Sequence, residues 1–262
     1  MKMNIVFASI LATIMGLDLA QAASVTLSSS SVFGSQQEQA QDVFADGTPN
    51  GQVDSNVGDR NGDQFSTSLT TFQDDGDDLF VATRVFRPET GVTARQTAFG
   101  QGEARRTVTV ATAGTLRFDM RIAGFYSVAS ERPDTDPFAT FMGDLIVLEN
   151  GNELASDNFR LSDAAGPDAQ TFADLLSVEI DVEAGDELLI YTGVWASSGA
   201  TTLVSAFMDV QANIDSFFTI TTLDGATLGT GPVSPVPLPP SVAMLGLGLA
   251  GLAGYRRARR KS

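Results

Sequence analysis

The chain has 262 residues, with 16 Lys and Arg against 32 Asp and Glu, and contains neither His nor Cys. These absences exclude a Ser-His-Asp triad, a thiol nucleophile, typical zinc sites and any disulfide. The net charge of −16 argues against nucleic acid and against anionic membrane surfaces, because both require basic patches.

The N-terminus has the order of a secretory signal. Lys2 supplies a positive start, Ile5 to Leu17 form an apolar run, and Ala20-Gln21-Ala22 is a small-x-small site. Removal of residues 1–22 by signal peptidase is therefore expected. The competing reading is a buried first helix of a cytosolic domain, but charge, apolar run and small-residue site stand in the signal order.

Residues 23–222 are expected to form one β-sandwich domain, with a loop-rich lead-in over 23–78. Ser24 to Gln41 is rich in Ser and Gln, with one short strand predicted at Val25-Thr26-Leu27. Ala45 to Phe65 is dense in Asp, Asn and Gly and reads as mostly loop. Asp54, Asn56, Asp59, Asn61 and Asp63 crowd this stretch beside Gly58 and Gly62, an arrangement that resembles a calcium loop. The EF-hand pattern fails, since Gln64 stands where a loop begun at Asp59 requires Gly; an acidic surface loop is the alternative. Asp74-Asp75-Gly76-Asp77-Asp78 is either a second calcium site or a solvated turn, because carboxylates this close repel unless a cation intervenes.

From Leu79 onward the pattern is β. Leu79 to Phe86 reads as the first clear strand, followed by Thr107 to Thr112 and Thr115 to Ile122. In the last of these Leu116, Phe118, Met120 and Ile122 alternate with polar residues, the period of a half-buried antiparallel strand. Asp144 to Phe159 reads as a hairpin about Asn150-Gly151, a pair that readily takes positive φ. Ala169 to Leu176 suggests a helical turn. Val178, Ile180 and Val182 then alternate, Ala184-Gly185-Asp186 turns the chain, and Glu187 to Trp195 returns. Leu203 to Val210 and Phe217 to Thr222 complete the strands, and residues 223–235 form a Gly/Thr/Pro/Ser linker. Many strands with Gly turns and almost no helix predict an all-β fold, a single antiparallel β-sandwich of jelly-roll-like type.

Three aromatic residues, Tyr126, Tyr191 and the single Trp, Trp195, are candidates for stacking on sugar rings, with core or rim packing as the alternative. For carboxylate catalysis the available pairs are Glu149 with Glu153 and Glu179 with Asp181, each of which also reads as ordinary solvated charge. No motif marks either pair as catalytic.

The C-terminus has three parts. Val236-Pro237-Leu238-Pro239-Pro240 is stiff and non-helical, Ser241 to Gly254 is uncharged and rich in Leu, Ala and Gly, and a basic stop follows with Arg256, Arg257, Arg259, Arg260 and Lys261. Counted from Val236, the apolar stretch nears the roughly 20 residues of a transmembrane helix. The basic end would stay cytoplasmic and leave the domain outside.

This order of Pro motif, apolar helix and Arg-rich end resembles the PEP-CTERM sorting domain. It is closest to the variant whose motif reads Val-Pro-Leu-Pro-Ala; Val236 to Pro239 match, and Pro240 replaces Ala. The resemblance is confined to the tail. It implies recognition by an exosortase-type membrane protease, transient insertion in the inner membrane, cleavage near the Pro motif, and delivery to the cell surface or exopolysaccharide matrix. Loss of Lys2 and Asp18 with the signal, and of five basic residues with the tail, would leave ten Arg against 31 acidic residues.

The expected role is that of a non-enzymatic surface or matrix protein of structural or adhesive type. A carbohydrate-binding module is the first alternative and a carboxylate-dependent glycoside hydrolase the second. Calcium is the one cofactor the sequence suggests, and exopolysaccharide the one ligand.

Overall fold

The computed structural model describes residues 24–45, 48–58, 64–73, 77–88, 95–130, 137–162, 169–200 and 207–229. The signal segment, the linker beyond 229 and the sorting tail lie outside the described residues.

Two antiparallel sheets face each other. The first takes β1 (Ser24–Phe33), β2 (Gln36–Ala45), β6 (Gln96–Thr112), β8 (Pro137–Glu149), β9 (Asn152–Leu161) and β11 (Glu187–Ala200), in the order β2-β1-β6-β11-β8-β9. The short β13 (Thr227–Leu228) adds to β6. The second takes β3 (Asn50–Gly58), β4 (Phe65–Gln73), β5 (Asp78–Arg87), β7 (Gly114–Ser130), β10 (Gln170–Val182) and β12 (Met208–Leu223), in the order β10-β7-β12-β5-β4-β3. The all-β sandwich expected from the sequence is therefore the observed architecture.

The strands form because their inward positions alternate with outward ones. Leu116, Phe118, Met120 and Ile122 of β7 point inward, as do Phe141, Leu145 and Val147 of β8 and Leu188, Ile190 and Val194 of β11. The hairpin β8–β9 turns at Asn150 and Gly151 with φ of 51° and 79°, as their residue types predict.

Four expectations are corrected. The lead-in over 23–78 is not loop-rich: β1 to β4 fill most of its described part, and their inward residues include Ser29, Ser31, Ser55, Ser66 and Ser68, which carry no apolar signal. The stretch 45–65 contains strand β3. Ala169 to Leu176 is part of β10, not a helical turn, because its pairing with β7 overrides local propensity. The expected linker begins inside the fold, with β13 at Thr227–Leu228 bonded to β6.

Three connections between the sheets lie together at one end. Ala113 alone joins β6 to β7, residues 183–186 join β10 to β11, and Asp224 to Ala226 lead from β12 to β13. So Glu187 to Trp195 does turn back after Gly185, but into the opposite sheet. Backbone bonds sew these corners to β6: Gly185 N donates to Val110 O at 2.8 Å, Val110 N to Asp186 O at 2.9 Å, and Gly229 N to Thr109 O at 2.8 Å. Gly114 is required at the corner, since a Cβ there would stand 2.5 Å from Ala226 N.

Candidate functional site

Strand β11 lies in the middle of the first sheet, between β6 and β8. Its even-numbered residues face the core, so Tyr191, Gly193 and Trp195 share the outward face. Register then brings two carboxylates to the same level. Glu103 of β6 and Asp144 of β8 both pair with Gly193, one on either side. Gln101 and Met142 flank Trp195, while Arg105 and Ile146 flank Tyr191.

Gly193 has no side chain to lift its neighbour away. The Trp195 ring lies down over it, with Cη2 2.6 Å and two further ring atoms 3.2 Å from the place a Cβ would occupy. The outward face here is a flat aromatic floor with polar groups along its sides.

Glu103 is only 3% exposed although it belongs to the outward face. It is held from both sides: Gln101 Nε2 donates to Oε1, and the Arg105 guanidinium stands 4.0 Å from Oε2. Arg105 also lies over the Tyr191 ring, 5.7 Å from its centroid. Burial pushes the Tyr191 phenol well above its usual range, helped by the Glu103 charge and the hydrogen bond to that carboxylate, so the hydroxyl stays a donor at any working pH. Burial, followed by the charge of Glu103, also raises the Asp144 carboxyl above the ordinary value. Among the described residues no cation pairs with Asp144.

Chemically, this surface can stack an apolar ring face on Trp195 and exchange hydrogen bonds with Asp144, Gln101 and Arg105, while the buried Glu103 holds Gln101, Arg105 and Tyr191 in place.

The sequence singled out Tyr191 and Trp195, and the fold brings them together. Tyr126 is placed elsewhere: it is buried in the core, 6.0 Å from the Phe141 ring, and its hydroxyl donates to Gln170 Oε1 at 2.7 Å. That is packing, not a surface for sugar. Glu103, Asp144, Gln101 and Arg105 escaped the sequence reading. Their one available signal was Gly193 between two aromatics at alternate positions of a strand.

Of the five expected calcium residues, two are described. Asp54 and Asn56 are exposed on β3, alternating with inward Val53 and Ser55, so they belong to a strand and not to a loop. Asp59, Asn61 and Asp63 lie outside the described residues, as do Asp74 and Asp75. Among the described residues no group of three or more acidic side chains is arranged to hold a metal ion.

Asp77 pairs with Arg106, whose guanidinium also lies 4.4 Å from the Phe218 ring centroid. Asp78 shares a hydrogen bond with Asp215. Burial, together with this bond and the Asp78 charge, pushes Asp215 up to about 6.

The carboxylate pairs weighed for catalysis have structural neighbours instead. Glu153 accepts from Ser156 Oγ at 2.6 Å, Asp181 from Thr115 Oγ1 at 2.9 Å, and Glu179 stands 3.9 Å from the Arg117 guanidinium. The residues of the sorting motif and basic stop, 236–262, lie outside the described residues.

No protein-family model matches this sequence, and no curated protein matches it. Among solved structures, TmCBM61 in complex with beta-1,4-galactotriose is 12% identical with a TM-score of 0.23, over 68% of this chain and 91% of that one. A structure of carbohydrate-binding modules from the beta-sandwich superfamily is 13% identical with a TM-score of 0.22, over 81% of this chain and 88% of that one. The enzymatically active domain of bacteriophage CBA120 tailspike protein 4 is 9% identical with a TM-score of 0.20, over 66% of this chain and 20% of that one. At these scores the likenesses carry no conclusion about what the chain does.

Proposed function

We propose that this chain is an exported cell-surface or matrix protein whose sandwich binds carbohydrate, without cleaving it, on the outward face of β11. The observation that carries the reading is the Trp195 ring lying over Gly193, with Glu103 and Asp144 at its sides. Sugar rings present apolar C–H faces that stack on an aromatic floor, and equatorial hydroxyls that donate to a flanking carboxylate such as Asp144. A structural or adhesive place in the exopolysaccharide matrix follows from such binding. The jelly-roll-like description of the sandwich is supported by strands that alternate between the sheets from β6 to β8 and again from β9 to β12.

Export rests on the signal-like residues 1–22. Delivery rests on the likeness of residues 236–262 to a PEP-CTERM sorting signal, which makes signal peptidase and an exosortase-type protease the processing partners. Calcium at the stretch holding Asp54, Asn56, Asp59, Asn61 and Asp63 is a separate proposal, checked by melting the protein with and without a chelator.

Trp195 is the only Trp, so its fluorescence reports this site alone. Titration with neutral polysaccharides is expected to shift its emission. Trp195→Ala should lower affinity at least about fivefold with the circular dichroism spectrum unchanged, since stacking of a ligand ring on an aromatic side chain is worth about 1–3 kcal/mol. No shift with any glycan would remove the reading. Release of reducing ends that disappears in Glu103→Gln or Asp144→Asn would favour a hydrolase instead.

A further inference from the structure

Gly193 is not the only glycine on the outward face of β11. Gly199 occupies a second outward position, and it too lies under an aromatic ring. This ring comes from β8: Phe138 is the register partner of Gly199, and Phe138 Cζ stands 3.0 Å from the place a Cβ would occupy. Glycine inside a strand marks a place where another group approaches the backbone closely. Here it lets each ring lean in over the sheet. Between the two lies only the small side chain of Ser197 on β11, with Phe99 of β6 beside it.

Trp195, Phe138 and Phe99 are half-buried, and none of them pairs with another described ring. The second sheet treats its outward aromatics differently. Phe65 and Phe86 stack on each other, with centroids 5.6 Å apart, and Arg84 lies over both. On the first sheet the ring faces are left unused.

The same stretch presents no charge. Level with Ser197 and Gly199, the outward neighbours are Phe99 and Thr97 of β6 and Thr140 and Phe138 of β8. Gln101 and Met142 flank Trp195. Charges on this face stand at the level of Gly193 and beyond it, with Glu103, Asp144 and Arg105, and one strand further out, at Arg160 of β9. An uncharged strip in a chain of net charge −16 suits a ligand that brings no charge of its own.

We propose that an extended, uncharged polysaccharide chain lies along β11, with Trp195 over Gly193 and Phe138 over Gly199 as its two stacking platforms. This rests on the carbohydrate-binding reading and gives that binding a direction, a length and a charge class. The two glycines are six residues apart, which is ~20 Å along a strand, so one sugar ring cannot reach both platforms and several consecutive rings can. Phe99 lines the path between them, and Thr97, Thr140 and Ser197 offer hydroxyls to the sugar hydroxyls. An acidic polysaccharide is disfavoured by Glu103, Asp144 and the charge of the whole chain. A protein partner would require a continuous apolar centre, whereas these rings are separated by hydroxyl side chains.

Trp195 fluorescence is read while the protein is titrated with cello-, xylo-, manno- and galacto-oligosaccharides, each as the disaccharide and the hexasaccharide. In at least one series the hexasaccharide is expected to bind at least about tenfold more tightly, because one ligand then engages both platforms. Phe138→Ala should cost that hexasaccharide at least about fivefold in affinity, with the strand spectrum retained. Phe217→Ala, which removes an exposed ring from the opposite sheet, should cost nothing. Should Phe138→Ala lose its strand spectrum, Phe99→Ala is judged by the same loss. Equal affinity for the two lengths, or no loss in the Phe138 variant, overturns the proposal and leaves the carbohydrate reading standing. If no hexasaccharide moves the emission, the proposal is overturned; if neutral polysaccharides fail as well, the carbohydrate reading falls with it. A wild type at twice the chain mass in light scattering, returned to one by Phe138→Ala, would make the strip an interface between copies and overturn the proposal too.

Discussion

Between β1, β3 and β4 the two sheets meet through hydroxyls; between β7, β8, β11 and β12 they meet through aliphatic and aromatic side chains. In the first region Ser29 Oγ donates to Ser68 O of the opposite sheet at 2.9 Å, Ser31 and Ser55 hydroxyls lie 2.8 Å apart, and Ser66 Oγ donates to Val32 O at 2.8 Å. A serine that reaches the backbone across the gap means the sheets are about one small side chain apart, well under the usual ~10 Å. Gly100 of β6 completes this approach, since a Cβ there would meet Val81 Cγ1 at 2.5 Å and Ser68 Oγ at 2.8 Å. In the second region Phe118, Met120, Phe141 and Leu145 are all fully buried and hold the sheets apart by their volume. One region is stabilised by directional bonds at short range, the other by buried apolar area. Sandwich packing therefore tolerates either solution when most buried hydroxyls find an acceptor; of those described in this region, Ser68 Oγ is the exception.

The sharpest test of this contrast is Phe118→Ala. Truncating a fully buried ring should cost about 3–5 kcal/mol through lost transfer energy and an unfilled cavity. Thermal melting should fall by roughly 10 °C. A fall of only a degree or two would mean the aliphatic region collapses around the gap and is less rigid than described.

Next in size is Gly100→Ala. In an ordinary strand this change is favourable, because alanine loses less backbone freedom on folding. Here it should destabilise by about 1–3 kcal/mol from overpacking. An unchanged or higher melting temperature would show that the sheets are not in close approach at β6.

Ser55→Ala comes third, at about 1 kcal/mol. Combined with Ser29→Ala it should cost less than the sum of the two, because their hydroxyls lie 3.1 Å apart and lose a shared bond. Strict additivity would break the idea of a connected serine network.

The smallest effect is expected from Asp215→Asn, on the outward face of the second sheet. Asp215 has a folded-state value near 6, above the ordinary 3.8, so the folded protein binds more protons than the unfolded chain between these values. Stability contributed by the protonated group is present below the ordinary value and lost as pH rises through about 6. The Asn variant should therefore gain on the wild type at pH 7.5, by well under 1 kcal/mol because solvent screens this exposed position, and gain nothing at pH 4. Equal gain at both pH values would show that the effect is not ionisation of Asp215.

The same contrast explains what could be read in advance. The aliphatic region announced itself: Leu116, Phe118, Met120 and Ile122 alternate visibly, and Asn150-Gly151 marks its hairpin. The hydroxyl region did not, because Ser29, Ser31, Ser55 and Ser66 look like loop residues until an opposing sheet supplies their partners. At the candidate site Tyr191 and Trp195 were legible as aromatics of one strand. Glu103 and Asp144 were not, being 41 positions apart on strands that meet only through β11.

From sequence alone came the all-β class, the period of its apolar strands, the signal-like start and the three-part tail, since each is written in local composition and spacing. Tertiary structure alone decided which serines are core, which sheet each strand joins, and that two carboxylates flank one glycine beneath a tryptophan ring. These depend on register between strands distant in the chain, and register is set by the summed packing of both sheets rather than by any short run of residues.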